Sequence, residues 1–95
     1  MIIQIVRFES ELPEEAVLAV AHDRMAEFLA LPGLIQKYYV KLPEPNMYGG
    51  VYIWDSLESL SAYRQSALAS SIPAAYRAKG APTVEILDGL FQLRE

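Results

Sequence analysis

An arginine inside an apolar helical stripe is the residue of this chain most in need of a chemical partner. At about 100° per residue, Leu57, Leu60, Ala67 and Leu68 outline one face of a helix, and Arg64 falls within it with Tyr63 on its edge. Two outcomes satisfy a guanidinium there. Its stem can cover apolar surface while its head reaches water or a carboxylate such as Glu85 or Asp88. Alternatively it donates hydrogen bonds to a carbonyl, phenolate or carboxylate of a ligand held between helices and sheet.

Flat rings with polar tips are abundant around it. Tyr38, Tyr39, Tyr52, Trp54, Tyr63 and Tyr76 suit a pocket for a planar aromatic molecule, and they suit a core or a protein interface equally well. Tyr52 and Trp54 lie two apart in an extended run and so share a sheet face. With Tyr63 and Arg64 on the helix that follows, these four are the expected ligand-binding set. The chain's single histidine, His22, sits at the border of a helix's apolar face. It and Arg64 are the candidate catalytic residues, His22 as a proton acceptor near neutral pH or as an inert, partly exposed side chain.

Positioning these residues takes few elements. Ile2 to Phe8 is short, β-branched and apolar on both faces, which predicts a strand covered on both sides. Pro13 opens a helix that runs to about Leu29, with Glu14 and Glu15 favourable in its first turn. Leu31-Pro32-Gly33 stops it. Strands are predicted over Leu34–Lys41 and Gly49–Trp54. Asp55 is placed to cap the next helix, with Glu58 completing a capping box, and that helix runs from about Ser56 to Ala69 before Ser70-Ser71-Ile72-Pro73 breaks it. A helical turn is expected over Ala74–Ala78 and a last strand over Thr83–Leu93, with Asp88-Gly89 as a bulge or bend.

The order βαββαβ folds most simply as an α+β, ferredoxin-like layer, with both helices on one face of a four-stranded antiparallel sheet. Ile2, Val6 and Phe8 then lie on one side of the first strand, and Ile3 and Ile5 on the other. One helical layer cannot cover both sides. Pairing of two sheets in a homodimer would, and a charge placed at Val6 is expected to disrupt it.

Composition narrows the function classes. The hydrophobic fraction of 53% is high for 95 residues, in keeping with a single domain over residues 1–95 whose sheet is covered twice. A net charge of −4 with eight scattered Lys and Arg argues against a nucleic-acid partner. With no cysteine and one histidine, no usual zinc, iron–sulfur or non-haem iron ligand set is available. No Walker loop, GxGxxG turn, GxSxG elbow or HExxH pair is present, so no metal, haem, flavin or nucleotide cofactor is expected. The start MIIQIVRFESE is unlike a signal peptide and no apolar run approaches membrane length, which predicts a cytoplasmic protein with no membrane partner.

The run PGLIQKYYVKLPEPNMYGGVYIWDSLESLSAYRQSA, from Pro32, resembles the YdhR-like putative monooxygenase family of the dimeric α/β-barrel superfamily. The matching elements are Pro32-Gly33, Lys37, Tyr39, Gly49-Gly50, Tyr52, Trp54 and Ala62-Tyr63. The resemblance implies a ferredoxin-like chain pairing as a dimeric α/β barrel. Haem-degrading relatives carry a haem-ligating histidine where this chain has Ser70-Ser71-Ile72-Pro73, which counts against haem. The activity implied is a cofactor-independent monooxygenase acting on a small planar phenol, quinol or polyketide-like molecule. A non-catalytic dimer that binds or senses a small hydrophobic ligand, and an isomerase of the same superfamily, are the alternatives.

Overall fold

The computed structural model describes residues 1–94. Its elements are strand β1 (Ile2–Ser10), helices α1 (Glu14–Asp23) and α2 (Met25–Leu29), strands β2 (Leu34–Lys41) and β3 (Met47–Trp54), helices α3 (Leu57–Arg64) and α4 (Ala67–Ala75), and strand β4 (Ala78–Asp88). The strands form one antiparallel sheet in the order β2-β3-β1-β4, which is the ferredoxin-like arrangement expected. Each predicted helix is two shorter ones.

The breaks have local causes. Arg24 leaves helical geometry at φ −103° and ψ 1°, so the first helix ends at Asp23 and restarts. Ser66 caps a new helix by accepting from the Ala69 amide at 3.2 Å, which moves the second break ahead of the Ser70–Pro73 stretch where it was expected. Pro73 is then carried inside α4. The cap of α3 is Ser56, whose hydroxyl accepts from the Ser59 amide at 3.2 Å, and not Asp55. Asp55 instead ties the strand end to the preceding turn, its amide donating to the Gly33 carbonyl at 2.8 Å. Gly33 holds φ +80°, and a Cβ there would run into the Asp55 and Ser59 side chains. The last strand starts five residues earlier than expected and ends at Asp88, where the Gly89 amide donates to the Met1 carbonyl at 2.8 Å.

The helices cover one face of the sheet. Phe28, Tyr52, Trp54, Leu60 and Tyr63 form one buried cluster, and Val17, Tyr48 and Tyr76 a second. Trp54 is fully buried, so its indole N–H needs an internal partner, and it donates to Gln4 Oε1 at 3.0 Å. Its ring stacks on Tyr52 with centroids 6.1 Å apart and planes 4° from parallel.

Gln4, Val6 and Phe8 pair with Tyr52, Gly50 and Tyr48, and all of these face the helices. Val6 therefore belongs to the helix side, and the expectation that a charge there would disrupt a paired sheet face is corrected. The opposite face carries Ile3, Ile5, Tyr38, Val51, Ile53 and Leu87, with the Arg7–Glu85 pair at 3.4 Å among them. Among the described residues no helix covers it.

Replacing Gln4 by Leu is expected to lower stability by about 1–3 kcal/mol, the cost of leaving the Trp54 N–H without an acceptor. Chemical denaturation of Gln4→Leu, Trp54→Phe and the double variant checks this. The two losses should be strongly non-additive, and additive losses would mean that the bond does not matter.

Candidate functional site

One irregularity in β2 decides which side chains reach the helix face. Leu34 pairs with Trp54 and Gln36 with Ile53, so Ile35 is an extra residue in the ladder. A single inserted residue exchanges the two faces of everything after it. Leu34 packs on the helix-side cluster, and beyond the bulge it is Lys37, Tyr39 and Lys41 that pair with Tyr52, Gly50 and Tyr48 on that same side. Without the bulge, Gln36, Tyr38 and Val40 would have faced the helices.

Two cavities lie between sheet and helices, sharing Val6, Phe8, Tyr52 and Ile72 in their walls. The first, about 160 Å³, runs between α1 and the β2–β3 side of the sheet, walled by Val17, Ala21, Lys37, Tyr39 and Tyr48 among others. Glu14 and Lys41 pair at 2.6 Å at its border. Gly50 leaves room in its floor: a Cβ there would stand 3.0 Å from Tyr52 Cε1 and 3.3 Å from Lys37 Cε. The second cavity, about 180 Å³, runs beneath α3 and α4 towards β4 and is bordered by Gln4, Tyr63, Arg64 and Pro82. A third pocket near α2, edged by Met25, Phe28 and Leu34, also has Lys37 and Tyr39 in its wall. Those two residues divide it from the first cavity.

Of the expected ligand-binding set, Tyr52, Tyr63 and Arg64 border the second cavity. Trp54 borders none of the three. It is buried behind Tyr52, which it supports by stacking, so any part it plays with a ligand is indirect. Arg64 is exposed at the cavity's edge and is not inside an apolar stripe. The stripe was extended through a break that the chain makes at Ser66, and within α3 the buried residues are Leu60 and Tyr63 while Leu57 is exposed. Nor does Glu85 reach Arg64, since it pairs with Arg7 on the other face of the sheet. His22 is exposed on α1, with Nδ1 3.4 Å from Met25 Sδ, and lines none of the cavities. One residue on from buried Ala21, it has turned out of the groove.

Lys37 is what reading the residues one by one passed over. Its Nζ lies 3.5 Å from the Phe28 ring centroid, 4.3 Å from Tyr39 and 4.6 Å from Tyr52. Rings attract a cation only in part as well as water does. Burial, helped by the nearby Arg24 charge, lowers its pKa to about 7. The phenols go the other way. Burial raises Tyr52, Tyr63 and Tyr39 above the ordinary phenol range, and Tyr76 up to about 12. At neutral pH these tyrosines are hydrogen-bond donors and not bases. The available signal was a lysine in a Tyr- and Val-rich strand, but its face depends on a bulge that alternation does not reveal.

A family model described as "Putative mono-oxygenase ydhR" matches residues 2–86. No curated protein matches the chain with significance. Among solved structures, the NE2512 protein of unknown function from Nitrosomonas europaea superposes with a TM-score of 0.78 at 18% identity, over 99% of this chain and 93% of that one. SnoaB, a cofactor-independent oxygenase from Streptomyces nogalater, gives 0.77 at 14% identity over 99% and 97%. Rv0793 from Mycobacterium tuberculosis gives 0.75 at 16% identity over 98% of each chain. At these identities the likeness is one of fold.

The lowered Lys37 pKa fixes a sign for stability against pH. Between about 7 and the ordinary lysine value the unfolded chain binds the extra proton, so the stability contributed by Lys37 rises as pH rises through that window. Below it both states are protonated and the full cost of the buried charge remains. Lys37→Met is therefore expected to be more stable than the unmodified protein at pH 6, by a few kcal/mol at most, with the gap closing towards pH 10. Urea midpoints across that range check it, and a gap that widens with pH would contradict it.

Proposed function

The chain belongs to the ydhR mono-oxygenase family, and from that premise we propose that it is a cofactor-independent monooxygenase acting on a small planar phenol or quinol. The observation that carries the reading is the first cavity, a largely apolar space floored by Gly50 and walled by Tyr39, Tyr48 and Tyr52. A dry engineered cavity of roughly 150 Å³ holds a benzene ring, so about 160 Å³ suits one ring, or two where the mouth is open. A polycyclic polyketide would need the second cavity as well.

The chemistry balances without a cofactor. An aromatic alcohol with a free para position and one O2 give a quinone and one water. One oxygen atom enters the ring, the other leaves as water, and the substrate supplies all four electrons. The protein's part is to exclude water, hold the ring and stabilise the oxyanion. Protonated Tyr52 has the donor for that in the first cavity, and Tyr63 and Arg64 can serve a ligand oxygen reaching the second. The description of SnoaB as a cofactor-independent oxygenase on the same fold supports the reading.

The reading includes a homodimer that buries Ile3, Ile5, Val51 and Ile53 against their copies. Tyr38 at 55% exposure and Leu87 at 42% extend the same uncovered apolar face. Light scattering is expected to give twice the chain mass, and Ile5→Asp to give a monomer or an unfolded chain, because an unpaired charge would be buried. A concentration-independent monomer mass for the unmodified protein contradicts the dimer.

Oxygen uptake with a panel of naphthols and quinols in chelator-treated buffer tests the activity. Ala21→Leu, which fills the first cavity, should cut turnover at least tenfold without loss of thermal stability. Arg64→Met should weaken binding by about 1.5–3 kcal/mol if the guanidinium holds a ligand oxygen, and leave it unchanged otherwise. Saturable binding with no oxygen consumed would favour a binding or sensing dimer. What favours that second reading is that burial keeps Tyr52 and Tyr63 protonated at neutral pH, as hydrogen-bond donors for a ligand and not as bases.

A further inference from the structure

Among the described residues, Lys37 in the wall of the first cavity and Arg24 at the break between α1 and α2 have no acidic partner. Among the described residues the ion pairs are Arg7–Glu85, Lys41–Glu14 and Lys79–Glu9, and none of them involves Lys37 or Arg24. Lys37 puts its ammonium among the rings of Phe28, Tyr39 and Tyr52, in the wall dividing the first cavity from the pocket near α2. Arg24, at the break between α1 and α2, donates to Ser71 Oγ, and its Nε is buried with no partner. Its charge is felt at Lys37, Tyr63 and Tyr76, which puts both cations in one neighbourhood. Two partly buried positive charges in apolar, aromatic surroundings are costly unless an anion joins them.

We propose that the first cavity binds its aromatic ligand as an oxyanion, with Lys37 Nζ taking the proton of an acidic phenol or enol and then holding the anion it has made. This rests on the reading that the cavity admits a planar aromatic molecule, and it names the acidic hydroxyl as the feature recognised. In the step, the ligand O–H bond breaks and an N–H bond forms on Nζ. No electrons change hands. The product is an ammonium–phenolate pair in a low-dielectric space, where such a pair is held more strongly than in water. Arg24 adds a second positive charge that favours the anion and disfavours a resting ammonium.

The surrounding groups leave this role to Lys37. Tyr39 on its own strand, Tyr52 on β3 and Tyr63 on α3 are all held above the ordinary phenol range, so they stay protonated. Glu14 and Lys41 at the cavity's border neutralise each other at 2.6 Å. Lys37, lowered to about 7, has a neutral amine available near physiological pH.

The experiment uses 4-nitrophenol, whose anion and neutral form absorb at different wavelengths, and nitrobenzene as a ring of the same shape without the hydroxyl. At a pH where free nitrophenol is mostly neutral, excess protein should shift it to the anion spectrum, and it should bind at least tenfold more tightly than nitrobenzene. Lys37→Met should abolish the shift and bring the two affinities together. The spectrum is read on the unmodified protein, so the test stands even if the variant folds poorly. If nitrobenzene binds but nitrophenol binds no more tightly and stays neutral, the role of Lys37 is overturned while the aromatic cavity stands. Should neither compound bind, both fall together.

Discussion

Everything at the site depends on how the sheet buries an indole. Trp54 is fully enclosed, and an enclosed N–H must be bonded, so Gln4 on the neighbouring strand is drawn into the core to accept from it. That bond and the stack on Tyr52 fix the end of β3 against β1, and Tyr63 then packs on both rings at 5.3 and 5.7 Å. Phe28 closes the layer from α2, 6.3 Å from Tyr52. The helices rest on a continuous wall of rings, and the cavities are what this wall and the helices fail to fill.

Rings pack by edges and faces, and a layer made of them leaves gaps that aliphatic side chains would close. Glycine widens the gap at the floor, since any Cβ at position 50 would press on both Tyr52 and the Lys37 stem. A lysine in such a place would ordinarily be pushed out to water. Lys37 is kept partly inside by three ring faces and by a strand whose bulge points it there. Family membership and site geometry then bear on different questions: the first concerns the reaction class, and the second the size and acidity of what enters.

Strand and helix order, the sheet arrangement and the shared face of Tyr52 and Trp54 were legible in the sequence, because each follows from a short-range pattern: β-branched runs, a Pro-Gly stop, alternation. What was not legible hangs on single-residue events. Ser66 restarts a helix and changes the phase of everything after it, so Ala67 and Leu68 do not continue the face of α3 and the apolar stripe drawn through them around Arg64 does not form. Ile35 adds one residue to β2 and brings Lys37 to the helix side. Val6 could be placed on a face but not on the covered face, since nothing in one strand says which side the helices will take. His22 needed only the observation that Ala21 is the buried neighbour.

On our proposal, the space between sheet and helices is a binding site for a planar aromatic oxygen compound. A crystal structure of the protein soaked with 2-naphthol tests it most directly. The ring is expected in the first cavity, above Gly50 and between Tyr39 and Tyr52, with the naphthol oxygen within hydrogen-bonding distance of Lys37 Nζ. Naphthol found only on the open sheet face, with the cavity empty at saturating ligand, would contradict it.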